Sequence, residues 1–131
     1  MQESKLYEYA VIRLVPDIER EEFFNVGLIM FSKKNNYLRA SYHIDLDLFA
    51  LLGMKLEYDE VDRSLDTFCK IAEGKLPAST VSRYAVPERF RWLTAVRSAI
   101  VQTSRPHPGK CDDLELTFEK LFQRNVLRNE V

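Results

Sequence analysis

Glycine, cysteine and histidine are scarce in this 131-residue chain, with four, two and two residues, and there is one tryptophan. The scarcity excludes several chemistries. The four scattered glycines form no phosphate-cradling loop, and no Gly-x-Ser-x-Gly elbow presents a serine nucleophile. Two histidines and two cysteines without paired spacing argue against zinc, and no cofactor is expected. Cys69 falls in a helical apolar pattern and reads as core filling. Cys111 precedes Asp112 and Asp113, whose charge would raise a thiol pKa, so it is not read as a nucleophile. The longest strongly apolar run, Val26 to Phe31, is far too short to span a bilayer. The opening Met-Gln-Glu-Ser-Lys lacks the basic and apolar regions of a signal peptide. A cytoplasmic protein with reduced thiols is expected, without a membrane partner.

What is present is an ordinary globular composition, 46% hydrophobic and 30% charged. The length fits a single domain over residues 1–131. A net charge of −1 supplies no global field for nucleic acid, so nucleic-acid binding is not favoured. Charge is nevertheless uneven along the chain. Asp45 to Glu73 holds eight acids against three bases, and Arg83 to Lys110 holds six bases against one acid.

Leu6 to Val15 is apolar on both alternating faces and reads as a central strand carrying one charge, Arg13. Phe23 to Ser32 reads as a second strand, with Phe24, Val26, Leu28 and Met30 on one face and Asn25 and Gly27 on the other. Tyr37 to Ile44 gives a third strand, and the short links favour an antiparallel meander. Asp45 to Met54 reads as a short helix or turn. Asp59 to Glu73 is a clearer helix, stopped by Gly74. Pro87 opens a helical turn over Glu88 to Leu93. Ser98 to Ser104 reads as the fourth strand, reached by a long crossover. Arg105 to Gly109 reads as a stiff loop, and Asp112 with Glu115 as a capping box for a last helix with Leu114, Phe118, Leu121, Phe122 and Val126 on one face. The expected fold is α+β: a four-stranded, largely antiparallel sheet in the order β-β-β-α-α-β-α, with helices mainly on one face and the other face partly open to a partner.

Chemistry concentrates between Arg83 and Asp113. Arg83, Arg89, Arg91, Arg97 and Arg105 offer planar forks for carboxylate or phosphate. The competing reading is that they pair with the acidic helix of this same chain. Arg13 needs a partner too, because an unpaired charge on a buried strand is costly. Trp92 reads as a core anchor or as a stacking platform. His107, between two prolines before a helix, could move a proton beside a bound anion or simply fix its loop. His43, beside Arg39 and Ser41, reads as surface. Serine chemistry through Ser98 or Ser104 with His107 stays open. A metal-carboxylate site would need Asp45 with Asp47, or Asp112 with Asp113, to converge with further acids.

Tyr9 to Pro16, Arg20 to Gly27 and Arg89 to Thr94, followed by Arg97, Ser98, Gln102, Ser104 and His107-Pro-Gly109, resemble a bacterial family of domains of unknown function, DUF3037. The resemblance spans nearly the whole chain. It implies polar motif positions at Arg13, Asn25, Arg91, Arg97, Ser98, Gln102 and His107. It also implies a partnership with HipA-like kinases, whose genes often neighbour those of the family. Two functions follow as expectations. One is a small non-catalytic binding or regulatory module for a protein partner such as a HipA-like kinase. The other is an enzyme acting on a phosphate-bearing small molecule or nucleotide, with Arg91 and Arg97 on the phosphate and His107 as proton donor or acceptor.

Overall fold

A strand that is apolar on both faces belongs between neighbours, and Lys5–Leu14 (β1) takes that place in the computed structural model, which describes residues 4–20, 22–51, 57–96 and 99–129. Phe24–Ser32 (β2) and Tyr37–Tyr42 (β3) complete the expected antiparallel meander. On its other edge β1 pairs with two short strands rather than one. Val101–Thr103 (β4) lies against Ile12 to Leu14, and His107–Cys111 (β5) against Lys5 to Tyr9. The sheet is therefore five-stranded and antiparallel, not four-stranded.

The stiff loop expected around His107 is thus a strand. Pro106 and Pro108 disguise it, but an edge strand tolerates a residue that cannot donate. Ser104 splices β4 to β5. Its backbone N–H donates to the Val11 carbonyl at 2.9 Å, and its hydroxyl accepts from the Val11 N–H at 2.9 Å. The ladder bond lost at the break is thereby replaced.

Helices cover both faces, which departs from the expected arrangement. Leu46–Leu51 (α1), Tyr58–Ala72 (α2) and Val86–Leu93 (α3) lie on the face of Ala10, Ile12 and Leu14. Leu114–Asn125 (α4) lies on the other, where Leu114 and Phe118 meet Val11, Leu28 and Met30. The chain's own last helix covers part of the face left open in the expected fold.

The helix ends follow local chemistry. Gly74, at φ 72°, lets Gly74 N–H and Lys75 N–H turn back onto the Ile71 and Lys70 carbonyls; this left-handed stop suits glycine. Arg89 donates to Ala72 O at 3.2 Å and Tyr84 O at 2.9 Å, so it satisfies backbone at the end of α2. At α4 the cap is Asp113, not Asp112: its carboxylate accepts from Leu116 N–H at 3.0 Å. Glu115 does not close a capping box. It pairs with Arg39 of β3 at 2.7 Å, alongside Glu119 at 2.8 Å, while the guanidinium lies over the Phe118 ring.

One irregularity sets the site. Between β1 and β2 the register slips from Ile12↔Gly27 to Arg13↔Asn25, so Val26 is an extra residue in a β-bulge. Its carbonyl accepts from His43 N–H at 2.7 Å. The bulge corrects the expected strand faces. Val26 joins Gly27's side, in the core with Ile12, and Asn25 turns to the side of α4.

Candidate functional site

Residues directly opposite in an antiparallel pair share a face. Arg13 is opposite Asn25 on β2 and Gln102 on β4. Three of the motif residues therefore form a single row, Asn25–Arg13–Gln102, across three strands. The late strand β4 brings this about by pairing beside β1.

The two amides are tied down. Asn25 donates to the Asn125 carbonyl at 3.2 Å, at the end of α4, and Asn125 in turn donates to Leu121 O at 2.9 Å. Gln102 donates to Ala99 O at 2.7 Å. Arg13 is not tied down. Its guanidinium carbon lies 4.0 Å from the centre of the Phe23 ring, yet its Nε is buried with no hydrogen-bond partner and it forms no ion pair among the described residues. A cation over a ring gains about 0.5–2 kcal/mol. A buried donor left unsatisfied costs about 1–3 kcal/mol, and more when charged. The contact with Phe23 thus offsets only part of the cost, and the scaffold gives no full reason for an arginine here.

His107 stands on the same face but further along. It is opposite Tyr9, with ring centres 5.3 Å apart, and Tyr7 continues the aromatic strip at 6.3 Å from Tyr9. Tyr9 and Arg13 are four residues apart, about 13 Å along a strand. Burial, with smaller contributions from Cys111 and Tyr9, raises the pKa of Tyr7. Ser104 is 5% exposed, and its hydroxyl also donates to the Arg105 carbonyl at 3.1 Å, so it is a splice residue and not a nucleophile.

Arg91 falls elsewhere. It is exposed on α3, whose buried residues Phe90 and Leu93 pack into the core on the opposite face of the sheet. Arg97 and Ser98 lie outside the described residues. Trp92 is 41% exposed rather than a core anchor; spacing, not size, decides the buried face of α3, and Phe90 stacks on Phe31 instead. Trp92 borders a cleft of about 420 Å³ with Arg63, Thr67, Phe68, Leu93 and Val101. The acidic helix does not absorb the basic segment: Arg83, Arg89, Arg91 and Arg105 form no ion pair with α2 among the described residues.

Two participants escaped the sequence reading. Phe23 merely opens the expected second strand and Asn125 falls within the expected last helix; no local pattern connects either to Arg13 or Asn25. The Tyr37 hydroxyl is buried and makes no well-formed hydrogen bond among the described residues; burial first, then neighbouring Glu115, raises its pKa. Among the described residues no group of three or more His, Cys, Asp or Glu could hold a metal ion, and no helix is long and apolar enough to cross a membrane.

The fold and site define an antiparallel α+β domain with an arginine-centred polar row at one end of its central strand. The chain matches the family described as protein of unknown function, DUF3037, over residues 9–126, and it belongs to that family. No curated protein and no solved structure matches it.

Proposed function

We propose that this protein is a small non-catalytic binding module, whose sheet face beside α4 holds a protein partner. The observation that carries the reading is Arg13: a half-buried cation on the central strand, over Phe23, with no anion of its own among the described residues. Evolution tolerates such a group most readily where a partner completes it. The half-exposed strip of Tyr7 and Tyr9, with exposed His107, extends the surface along β1 and β5. Aromatic and arginine side chains are the usual anchors of protein interfaces. A HipA-like kinase is the partner that the family resemblance implies. Co-expression with a HipA-like kinase tests this. A stable complex, or altered kinase activity, supports the reading; separate elution with unchanged activity overturns it.

The enzymatic alternative draws on the same shortage of anions around Arg13. It loses ground because Arg91 and His107 sit on opposite faces of the sheet, and because Ser104 is fully engaged. Unchanged thermal stability across a panel of nucleotides and phosphate esters would remove it.

A further inference from the structure

We infer that Arg13 is the receptor for a single carboxylate presented by an acidic side chain of the partner. This rests on the binding-module reading and names the group that the module recognises.

Three observations select the ligand chemistry. The first is the vacancy in hydrogen bonding: Arg13 Nε is buried without a partner, while Asn25 and Gln102 on either side have each committed a donor to a backbone carbonyl. The flanking amides are thus fixed, and the arginine between them keeps its donors. The second is placement. Phe23, beneath the guanidinium, is 50% exposed, so the stack lies at the surface and not in the core. A ring under the guanidinium restrains it, and a restrained fork suits the two parallel hydrogen bonds of a carboxylate. The third is charge. On this face Arg39 is already held by Glu115 and Glu119, and Tyr9, opposite His107, lies about 13 Å along β1 from Arg13. Arg13 is the single cation of the Asn25–Arg13–Gln102 row, and one guanidinium balances a monoanion, whereas a phosphate dianion calls for more than one cation or a nest of N–H groups.

The arrangement has a second consequence. If Arg13 serves a partner and not the fold, replacing it by methionine removes an unsatisfied buried donor and keeps the volume over Phe23. The variant then loses binding without losing stability.

The test uses the full chain in solution. The Arg13 Nε–H resonance and the Asn25 and Gln102 amides are followed by NMR during titration with an acetylated, amidated hexaglutamate peptide, with hexaglutamine and inorganic phosphate in parallel. Hexaglutamate is expected to shift these signals saturably, and hexaglutamine to leave them unmoved. Arg13→Met should abolish the response with a melting temperature no lower than that of the parent chain. Arg13→Lys, which keeps the charge but loses the fork, should weaken it at least about tenfold. A response to phosphate but not hexaglutamate, an equal response to hexaglutamine, an unchanged response in Arg13→Met, or a clear fall in its melting temperature would each overturn the assignment. The two levels separate cleanly. A kinase complex that survives Arg13→Met removes the carboxylate site and leaves the binding module standing. A hexaglutamate response without any kinase complex leaves the site and removes that partner.

Discussion

Gly27→Ala is the substitution that most directly joins the fold to the site. Gly27 is the last regular partner of Ile12 before the bulge that turns Asn25 toward Arg13. A Cβ at Gly27 would lie 2.6 Å from the Ser41 carbonyl oxygen and 3.0 Å from Ile12 Cδ1. The nearer atom is backbone of the paired strand, so no rotamer change relieves it; β2 and β3 must move apart. Overpacking of this kind costs about 1–3 kcal/mol, and a backbone obstacle places the expectation near the top of that range. Unfolding entropy of about 2.1 cal/mol/K per residue converts 1 kcal/mol to about 4 °C for a chain of this length. Gly27→Ala should therefore lower the melting temperature by roughly 8–12 °C in a calorimetric scan. It should also shift the Asn25 and Arg13 amide signals, because the bulge follows the displaced residue. Gly109→Ala is the matched control. Its Cβ would meet the Tyr7 ring, a half-exposed side chain that can swing away, so the fall should be smaller. A change below about 2 °C for Gly27→Ala would refute the reasoning that close strand approach fixes the bulge.

Asp113→Ala should cost about 1 kcal/mol through loss of the α4 cap, whereas Asp112→Ala, whose side chain caps nothing, should stay within about 0.5 kcal/mol; chemical denaturation midpoints distinguish them. Arg39→Ala should destabilise by about 1–2 kcal/mol, and much of that loss should persist at about 0.5 M salt, because cover of Phe118 is not screened as the two exposed carboxylate pairs are. Burial, then the charges of Glu73 and Asp66, push the Cys69 thiol up to about 12 from an ordinary 9.0. At pH 8 alkylation of the folded chain followed by peptide mapping should therefore modify Cys111 well before Cys69. The sign for stability follows: the folded state holds the Cys69 proton more tightly, so its contribution is complete below pH 9.0 and is lost as pH rises toward about 12.

The regular parts of this fold were legible because each carries a period. Alternation through Leu6 to Leu14 and Leu38 to Tyr42 announces strands, and Val61, Leu65, Phe68 and Ala72 announce the inner face of a helix. What period cannot reveal is an interruption. The Val26 bulge inserts one residue into a run that alternates acceptably without it, so Asn25 was assigned to the wrong face. β5 failed for a different reason. His-Pro-Gly-Lys-Cys has turn composition, and only its position at an edge, beside Lys5 to Tyr9, makes a strand of it. Trp92 failed because size was weighed above spacing: Phe90 and Leu93, three apart, take the inner face of α3 and leave tryptophan outside.

The site was half legible for a related reason. A charge on a central strand is anomalous from sequence alone, so Arg13 stood out whatever surrounded it. Its neighbours required topology. Asn25 and Gln102 are separated by 77 positions and become neighbours of Arg13 only because the late strand β4 returns to the free edge of β1. The arginine cluster was the opposite case. Arg89 and Arg91 are close in sequence, yet one serves the end of α2 and the other faces solvent. Density along a chain is a poor guide to convergence in space, because a helix distributes successive residues around its axis while a sheet aligns distant ones. The same geometry separates scaffold from recognition here. Arg89 and Arg39 have found acceptors within the fold. Arg13 has a ring beneath it and no acceptor among the described residues, so it is the arginine whose presence the fold by itself leaves least explained.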